Sequence, residues 1–497
     1  MVKRVLIANR GEIAVRVARA CRELGVESVA VYSEADRRAR HVIAADHAVC
    51  LGPPPVGESY LSIPAVISAA RSSGADAIHP GYGLLSENAS FAAACEDARL
   101  VFIGPPSTVI ARMGSKIAAR RLMHAAGVPV VPGETPADQT DDGIAAAVSR
   151  VGLPALIKAS AGGGGKGMRR VDEAGAVREA VQSARREAVA AFGDGTLYVE
   201  RALVRPRHVE VQVVADNDGR VVHVFERECS AQRRHQKVVE ESPSPALTPG
   251  LRRRMTEAAV QAATAAGYRN AGTIEFLIES SDRKEEPGFY FLEMNTRLQV
   301  EHPVTEQVAG VDLVRAQLLV ASGEPLPWSQ ASLDQRGHAI EARIYAEDPS
   351  KDFLPQAGRV LLYREPQLPG VRIDSGLAEG DTVSVYYDPL LAKVIASAES
   401  RELARRRLLA ALRDFPILGV PTNIPFLVRL LEHPAFVAGQ IDTAFLDTEG
   451  VPLTETDSAE PPPFVVAAMA AARPRESATG DSGPVWDPWE RLLNWRN

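Results

Sequence analysis

Cysteine is scarce and scattered: Cys21, Cys50, Cys95 and Cys229 lie far apart in 497 residues, with no Cys-x-x-Cys pair. That spacing argues against a zinc site or a disulfide framework and fits a reducing compartment, the cytoplasm. No uninterrupted apolar stretch reaches membrane-spanning length, and the apolar run behind Met1 is too short for a signal peptide. Excess positive charge is missing as well. Against 63 Asp and Glu stand 56 Lys and Arg, a formal net charge of -7, so no general basic field exists for nucleic acid. Two nucleotide fingerprints are also absent. The glycine run near residue 163 lacks the Gly-Lys-Ser/Thr ending of a Walker loop, and the first strand-helix-strand unit lacks the dinucleotide glycines.

The length predicts several domains with ample core. Val5-Leu6-Ile7-Ala8 reads as a buried strand and residues 13–24 as a helix with Ile13, Val17, Ala20 and Leu24 on one stripe; residues 28–33 make a second strand. This is a unit of a doubly wound sheet, read as scaffold, with Arg16 and Arg19 as surface charges. A helix over residues 63–73 and a strand over 75–78 lead to the loop His79-Pro80-Gly81-Tyr82-Gly83-Leu84-Leu85-Ser86-Glu87-Asn88, at the carboxyl end of a strand, where open α/β sheets bind ligands. Lys116 opens a helix to residue 126; a lysine in a first turn opposes the helix dipole, which marks it as a candidate phosphate ligand. A small α/β module from residue 128 holds Lys158 and the glycine run and ends at 197–203, read as an edge or hinge strand whose Glu200 could meet a purine base. Residues 208–216 and 221–228 alternate as two strands joined at Asn217-Asp218-Gly219. The run from Arg227 to Glu241 is too charged for a core and reads as surface.

The chemistry concentrates in Glu293-Met294-Asn295-Thr296-Arg297-Leu298-Gln299-Val300-Glu301-His302, which follows the apolar strand Phe289-Tyr290-Phe291-Leu292. If the segment stayed extended, Glu293, Asn295, Arg297, Gln299 and Glu301 would share one face. Carboxylate and amide oxygens there suit a hard cation such as Mg2+, and Arg297 offers a fork for a small oxyanion. Upstream, Gly272-Thr273-Ile274-Glu275-Phe276-Leu277 pairs with this strand as a hairpin, placing Glu275 beside Glu293. Facing carboxylates repel, so the pair predicts either a metal or one retained proton. The glycine run 162–165, with Gly164 and Gly165 at its end, leaves backbone N–H groups free to wrap phosphates.

In order along the chain, Ile7-Ala8-Asn9-Arg10-Gly11-Glu12-Ile13-Ala14, His79-Pro80-Gly81-Tyr82-Gly83, the tetraglycine loop, Arg233-Arg234-His235-Gln236-Lys237-Val238, the Glu293 to His302 segment and Glu341-Ala342-Arg343-Ile344 resemble biotin carboxylase, the ATP-grasp component of biotin-dependent carboxylases. The likeness covers about nine-tenths of the chain. It implies a mixed α/β architecture: a doubly wound domain (1–114), an ATP-grasp domain (115–324) with a mobile lid near 131–203, a mainly β C-terminal domain (325–448), and a linker and Trp-rich tail (449–497).

The resemblance implies ATP at Lys116, Lys158, Gly164, Gly165, Glu200, Arg201, Leu203, His208, His235 and Leu277, with Arg201 standing where lysine is common. Val420-Pro421-Thr422-Asn423 follows the family pattern near the adenine. It implies Mg2+, with Mn2+ as the alternative, at Glu275, Glu293 and Asn295. Bicarbonate falls to Lys237, Arg297, Gln299 and the Val300 backbone, with Glu301 as general base; Arg343 and Tyr82 face biotin. The implied reaction is ATP-dependent carboxylation of biotin through carboxyphosphate, the first half-reaction of an acyl-CoA carboxylase. The implied partners are a biotin carboxyl carrier and a carboxyltransferase subunit, with a homodimer as assembly. No methionine here is followed by lysine, so the biotinyl-lysine motif is absent and biotin is expected on another chain or on a missing part of this one. Beyond a proline-bearing linker, a short apolar helix is expected over 464–472, and Trp486, Trp489 and Trp495 resemble the opening of a carrier-linking domain. Two rival readings share the nucleotide residues: a carbamoyl-phosphate-type ATP-grasp ligase, and a catalytically silent binding subunit.

Overall fold

Val5 and Ile7 point to one side of the first strand, Arg4–Ile7, and Leu6 to the other, and helices bury both sides. Helix Gly11–Glu23 packs Ile13 and Val17 against the first side; helices Ile63–Ser73 and Ala89–Asp97 pack Val66, Ala70 and Phe91 on the second. The computed structural model describes residues 2–160, 167–234, 236–279 and 287–455. Gly164, Gly165, His235, the expected helix over 464–472 and the three C-terminal tryptophans lie outside them.

The first strand sits at the centre of a five-stranded parallel sheet in the order His47–Gly52, Glu27–Ser33, Arg4–Ile7, Ala77–His79, Val101–Phe102. The order reverses beside Arg4–Ile7, and at that switch point the loops following it and Ala77–His79 are tied together. Asn9 donates to the carbonyls of Pro80 and Tyr82 at 2.7 and 2.8 Å. This tie carries Glu12, Tyr82 and Glu87 to the ligand-binding end of the sheet. Arg19 is exposed, as read from the sequence, but Arg16 is not a surface charge. Its buried guanidinium meets Glu306 at 2.9 Å and Asp312 at 2.7 Å, because the helix Leu313–Ala321 covers that side of Gly11–Glu23.

A second sheet has eight antiparallel strands: Phe289–Asn295, Asn270–Ile278, Arg207–Ala215, Val221–Arg233, Gln236–Ser242, His338–Tyr345, Leu390–Ala398 and Val371–Ser375. Pairing of Gln236–Ser242 with His338–Tyr345 makes it continuous from residue 207 to residue 398. Ile340, Ala342, Ile344, Val394 and Ala396 face the C-terminal core with helix Arg401–Arg413, while Glu341, Arg343 and Lys393 face the other way, by the two-residue alternation of strands.

A third, four-stranded sheet runs Gly133–Glu134, Leu197–Arg201, Ala155–Ala159, Met168–Val171, with helices Asp141–Val151 and Val177–Phe192 on a core of its own. The segment read as an edge strand is therefore interior. Its outer neighbour, Gly133–Glu134, is two residues long, too short to leave an alternating pattern.

The N-terminal and C-terminal portions meet at Gly376, where a Cβ would stand 2.5 Å from the backbone of Gly11 and Glu12. Gly376→Ala must push the start of the first helix away, and overpacking of this kind costs about 1–3 kcal/mol. Chemical denaturation is expected to return that loss; an unchanged midpoint would show that the junction yields.

Candidate active site

The hairpin forms as read: Glu275 lies directly opposite Glu293, with a register shift just beyond the pair. The row continues, since Glu210 is opposite Glu275 on the next strand and Arg227 opposite Glu210 on the one after. The strand of Glu293 ends at Asn295, however. The expected single extended face holds only for Glu293 and Asn295; the chain then turns and enters helix His302–Ala309, whose first turn contains Pro303. Gln299 and Glu301 reach the site through this turn.

At the centre Lys237 donates to three carboxylates: Glu210 at 2.6 Å, Glu275 at 2.9 Å and Glu301 at 2.7 Å. Burial works against its charge, but these acids hold its proton well above the ordinary range. Burial alone would push the Glu301 carboxyl up; Lys237, Arg343 and Arg227 outweigh that and hold it well below the usual carboxylate range. Arg343 reaches Glu301 at 3.0 Å and donates its Nε to Glu240 at 2.6 Å. Burial, with the Glu301 charge adding to it, raises the Glu240 carboxyl to about 7 against the pull of Arg343. Beside it on the next strand, Glu341 is fully buried with neither carboxylate oxygen partnered, and burial raises it well above its ordinary value.

Arg297 donates to Glu87 at 2.8 Å, to Gln299 at 2.6 Å and to Asn295 at 2.9 Å. Asn295 and Gln299 in turn donate to Glu275, at 2.8 and 3.1 Å, and His208 lies 2.9 Å from its other oxygen. Lys158 donates to Glu200 at 2.6 Å, and Arg120 holds the second Glu200 oxygen at 2.8 Å. Lys116 opens its helix behind Ser115 as expected; burial lowers its pKa, Glu293 opposes that, and Lys158 adds to it. Burial and the facing Glu275 raise the Glu293 carboxyl, with Lys116 opposing. Opposed carboxyl oxygens with an adjoining amide form an all-oxygen donor set that suits Mg2+.

Other expected residues are differently engaged. The Arg201 fork is taken by Glu279 at 2.7 and 3.0 Å; Leu203 is buried; Leu277 lies opposite His208. Asn423 binds the backbone around Arg343, donating to its carbonyl at 3.0 Å and accepting from Tyr345 N–H at 2.9 Å. Tyr82 gives its hydroxyl hydrogen to Glu12. Tyr345, two residues beyond Arg343, lines a cleft of about 440 Å3 with Arg233, Gln236, Phe353 and Asp388.

Of the run from Arg227 to Glu241, read as surface, Arg234 and Gln236 are exposed as expected, whereas residues 227–232 and 238–241 are buried and floor the site. Arg227, Glu240 and Glu241 are buried because each has a fixed partner: Arg227 donates to Glu210 at 2.5 Å, to Gln212 at 2.8 Å and to Thr305 at 2.9 Å. Glu87, Glu210, Glu240 and Arg120 were not read as site residues. Glu87 sat in the ligand-side loop already singled out, and Glu210 on the site face of an alternating strand; nothing local distinguishes Glu240 or Arg120.

Three family models match the chain: the biotin carboxylase N-terminal domain at residues 1–110, the carbamoyl-phosphate synthase L chain ATP-binding domain at 115–329 and the biotin carboxylase C-terminal domain at 341–448. The middle model bears the name of the rival ligase, and the flanking pair decides between them. A biotin carboxylase of Halalkalibacterium halodurans is 51% identical over 446 residues, 90% of this chain and 97% of that protein. The chain belongs to the biotin carboxylase family. As a biotin carboxylase it is an ATP-grasp ligase that carboxylates biotin at the expense of ATP. Its likeness extends to the α subunit of a methylcrotonoyl-CoA carboxylase from Oryza sativa subsp. japonica, 52% identical over 447 residues, 90% of this chain and 60% of that protein. The chain thus spans about three-fifths of that larger relative.

Among solved structures, a biotin carboxylase–β,γ-ATP complex from Campylobacter jejuni matches with a TM-score of 0.87 at 44% identity over 90% of this chain and 99% of that one. The biotin carboxylase domain dimer of Hydrogenobacter thermophilus 2-oxoglutarate carboxylase, in complex with ADP, its magnesium salt and bicarbonate, gives 0.87 at 42% identity, over 92% and 100%. Among the described residues no helix is long and apolar enough to cross a membrane.

The floor of this biotin carboxylase site makes a direct prediction. Arg227→Met leaves Glu210 buried opposite Glu275 with Lys237 as its one remaining cation and the Gln299 amide as a donor, and breaking a buried ion pair costs about 3–5 kcal/mol. Adding Glu210→Gln is expected to recover about half of that loss in urea unfolding; equal instability of single and double variants would refute the pairing.

Proposed function

We propose that the cluster around Lys237 holds bicarbonate for attack on the terminal phosphate of ATP, and that Arg343 serves biotin on the far side of Glu301. The observation that carries this reading is the pair of contacts made by Glu301, to Lys237 on one side and to Arg343 on the other. A carboxylate held so far down is a weak base while both cations are bound to it. An incoming bicarbonate draws Lys237 away from Glu301, with Arg297 as a second cation for the anion, and the loss of the Lys237 contact restores basicity to Glu301 as the substrate arrives. Glu301 then takes the bicarbonate proton, Lys237, Arg297 and Gln299 hold the oxyanion, and the attack yields carboxyphosphate and ADP.

Lys116 and Lys158 neutralise charge on the transferring phosphate, with Gly164, Gly165 and His235 completing the grip and Arg201, Leu203, His208 and Leu277 lining the nucleotide. Glu275, Glu293 and Asn295 would hold Mg2+ or Mn2+, which supplies further charge neutralisation on the phosphates when bound. Carboxyphosphate releases CO2 and phosphate. Arg343 then stabilises the negative ureido oxygen as the phosphate removes the biotin N1' proton, with Tyr82 beside the ring. The four-stranded module with its separate core acts as the lid that excludes water.

The domain limits proposed are 1–114, 115–324 with the lid near 131–203, 325–448, and a linking tail at 449–497. Biotin arrives on a carrier, and a carboxyltransferase subunit passes the carboxyl group to an acyl-CoA, in the cytoplasm, with the carboxylase as a homodimer. The relationship to methylcrotonoyl-CoA carboxylase α subunits supports the acyl-CoA carboxylase part of this reading, and the four scattered cysteines support the reducing compartment.

Phosphate release from ATP by the purified chain with Mg2+ is expected to require bicarbonate and to rise with free biotin. Arg343→Gln is expected to lower biotin carboxylation by about 100-fold or more while bicarbonate-dependent phosphate release stays within about threefold. Bicarbonate-independent release by the parent chain would remove the carboxyphosphate reading; equal loss of both activities in Arg343→Gln would remove the division of roles.

A further inference from the structure

Lys393 lies in the strand Leu390–Ala398, directly opposite Arg343, and its side chain is fully buried. Burying an ammonium is costly, and an apolar chain would fill the same space with less penalty, so its charge has to be explained by what it holds. Its Nζ donates to the carbonyl of Val300 at 2.8 Å and pairs with Glu12 at 2.9 Å. Asp374, opposite Lys393 on the other neighbouring strand, is 3.9 Å away and is itself gripped by Arg372. Burial opposes the lysine charge, and Glu12, Glu341 and Asp374 preserve it.

Each of the two short contacts leads to one half of the chemistry. The Val300 carbonyl belongs to the peptide that enters Glu301, and Glu301 sits at φ -82°, ψ 13°, between the turn and helix His302–Ala309. Fixing that carbonyl fixes the start of the Glu301 side chain. On the other side, the Glu12 oxygen bound by Lys393 is the one that accepts the Tyr82 hydroxyl, and the Lys393 ammonium lies 5.8 Å from the centre of the Tyr82 ring. The turn over residues 296–301 has a first anchor in Glu87, which accepts from Thr296 N–H at 3.0 Å and from Arg297. Lys393 supplies a second, from the C-terminal portion.

We propose that Lys393 is a positioning residue that sets the bicarbonate side of the site, through Val300 and Glu301, against the biotin side, through Glu12 and Tyr82. This rests on the assignment of those sides above. It touches no substrate; it acts through the peptide and the carboxylate that it binds.

The test is Lys393→Met, close in length but uncharged, measured with ATP, Mg2+, bicarbonate and free biotin. Loss of a buried charged hydrogen bond corresponds to about tenfold or more, so the bicarbonate KM is expected to rise by at least about tenfold, with the ATP KM within about twofold. The phosphate released per biotin carboxylated is expected to rise as well, because the two sides lose register. A residue of merely structural importance would lower the folded fraction and kcat and leave the bicarbonate KM and that ratio unchanged; this result would overturn the proposal. Should Lys393→Met fail to fold, Glu12→Gln keeps the Val300 contact and removes one charge. It is expected to raise the phosphate-to-biotin ratio with the bicarbonate KM within about twofold, and an unchanged ratio overturns the proposal. The parent chain separates the two levels: without bicarbonate-dependent phosphate release in it, the functional reading falls; with that release intact and the variants unaltered, only the role of Lys393 falls.

Discussion

One lysine among three carboxylates is the constraint from which the site follows. Lys237 has three hydrogens to give, and Glu210, Glu275 and Glu301 take them. Each of those acids is then shared with another cation or donor: Arg227 for Glu210, His208 and two amides for Glu275, Arg343 for Glu301. No member can be moved without stranding a buried charge, and that penalty is larger than most packing terms. The cluster is therefore rigid, each acid held by the cations and donors that surround it.

This arrangement resolves an apparent conflict. The general base proposed for the reaction, Glu301, should have a proton affinity near that of its surroundings, whereas its carboxyl is held far below it. The low affinity comes from the contacts that Glu301 makes with Lys237 and Arg343. In the proposed mechanism bicarbonate competes for Lys237, so the basicity of Glu301 rises as the substrate binds.

Much of this was legible in the sequence because it was local. The Glu275–Glu293 pair followed from two strands and a loop, and Ser28 to Ser33 followed the first helix in the order a parallel sheet requires. What escaped reading depended on partners remote along the chain. Arg16 reads as surface until Glu306 is known to meet it, 290 residues away. Arg227 and Glu240 belong to a dense charged run that any local rule assigns to solvent, and only the strands and the helix laid across it by the rest of the fold supply Glu210, Arg343 and Thr305. The extended face predicted beyond Asn295 failed for a similar reason: period-two alternation cannot reveal where a turn takes over, although the His302-Pro303 pair hinted at a helix start.

The eight-stranded sheet carries Glu293, Glu275, Glu210 and Arg227 as direct neighbours on successive strands, and Arg343, Lys393 and Asp374 as another such series. Backbone ladders fix the step between strands at about 4.8 Å. The sheet is thus a ruler, graduated in strands, on which the two series of charges are marked at different divisions. Loops at its ends can lengthen or shorten without altering the scale, whereas a slip of one residue in any ladder would turn a marked charge to the opposite face and erase that division.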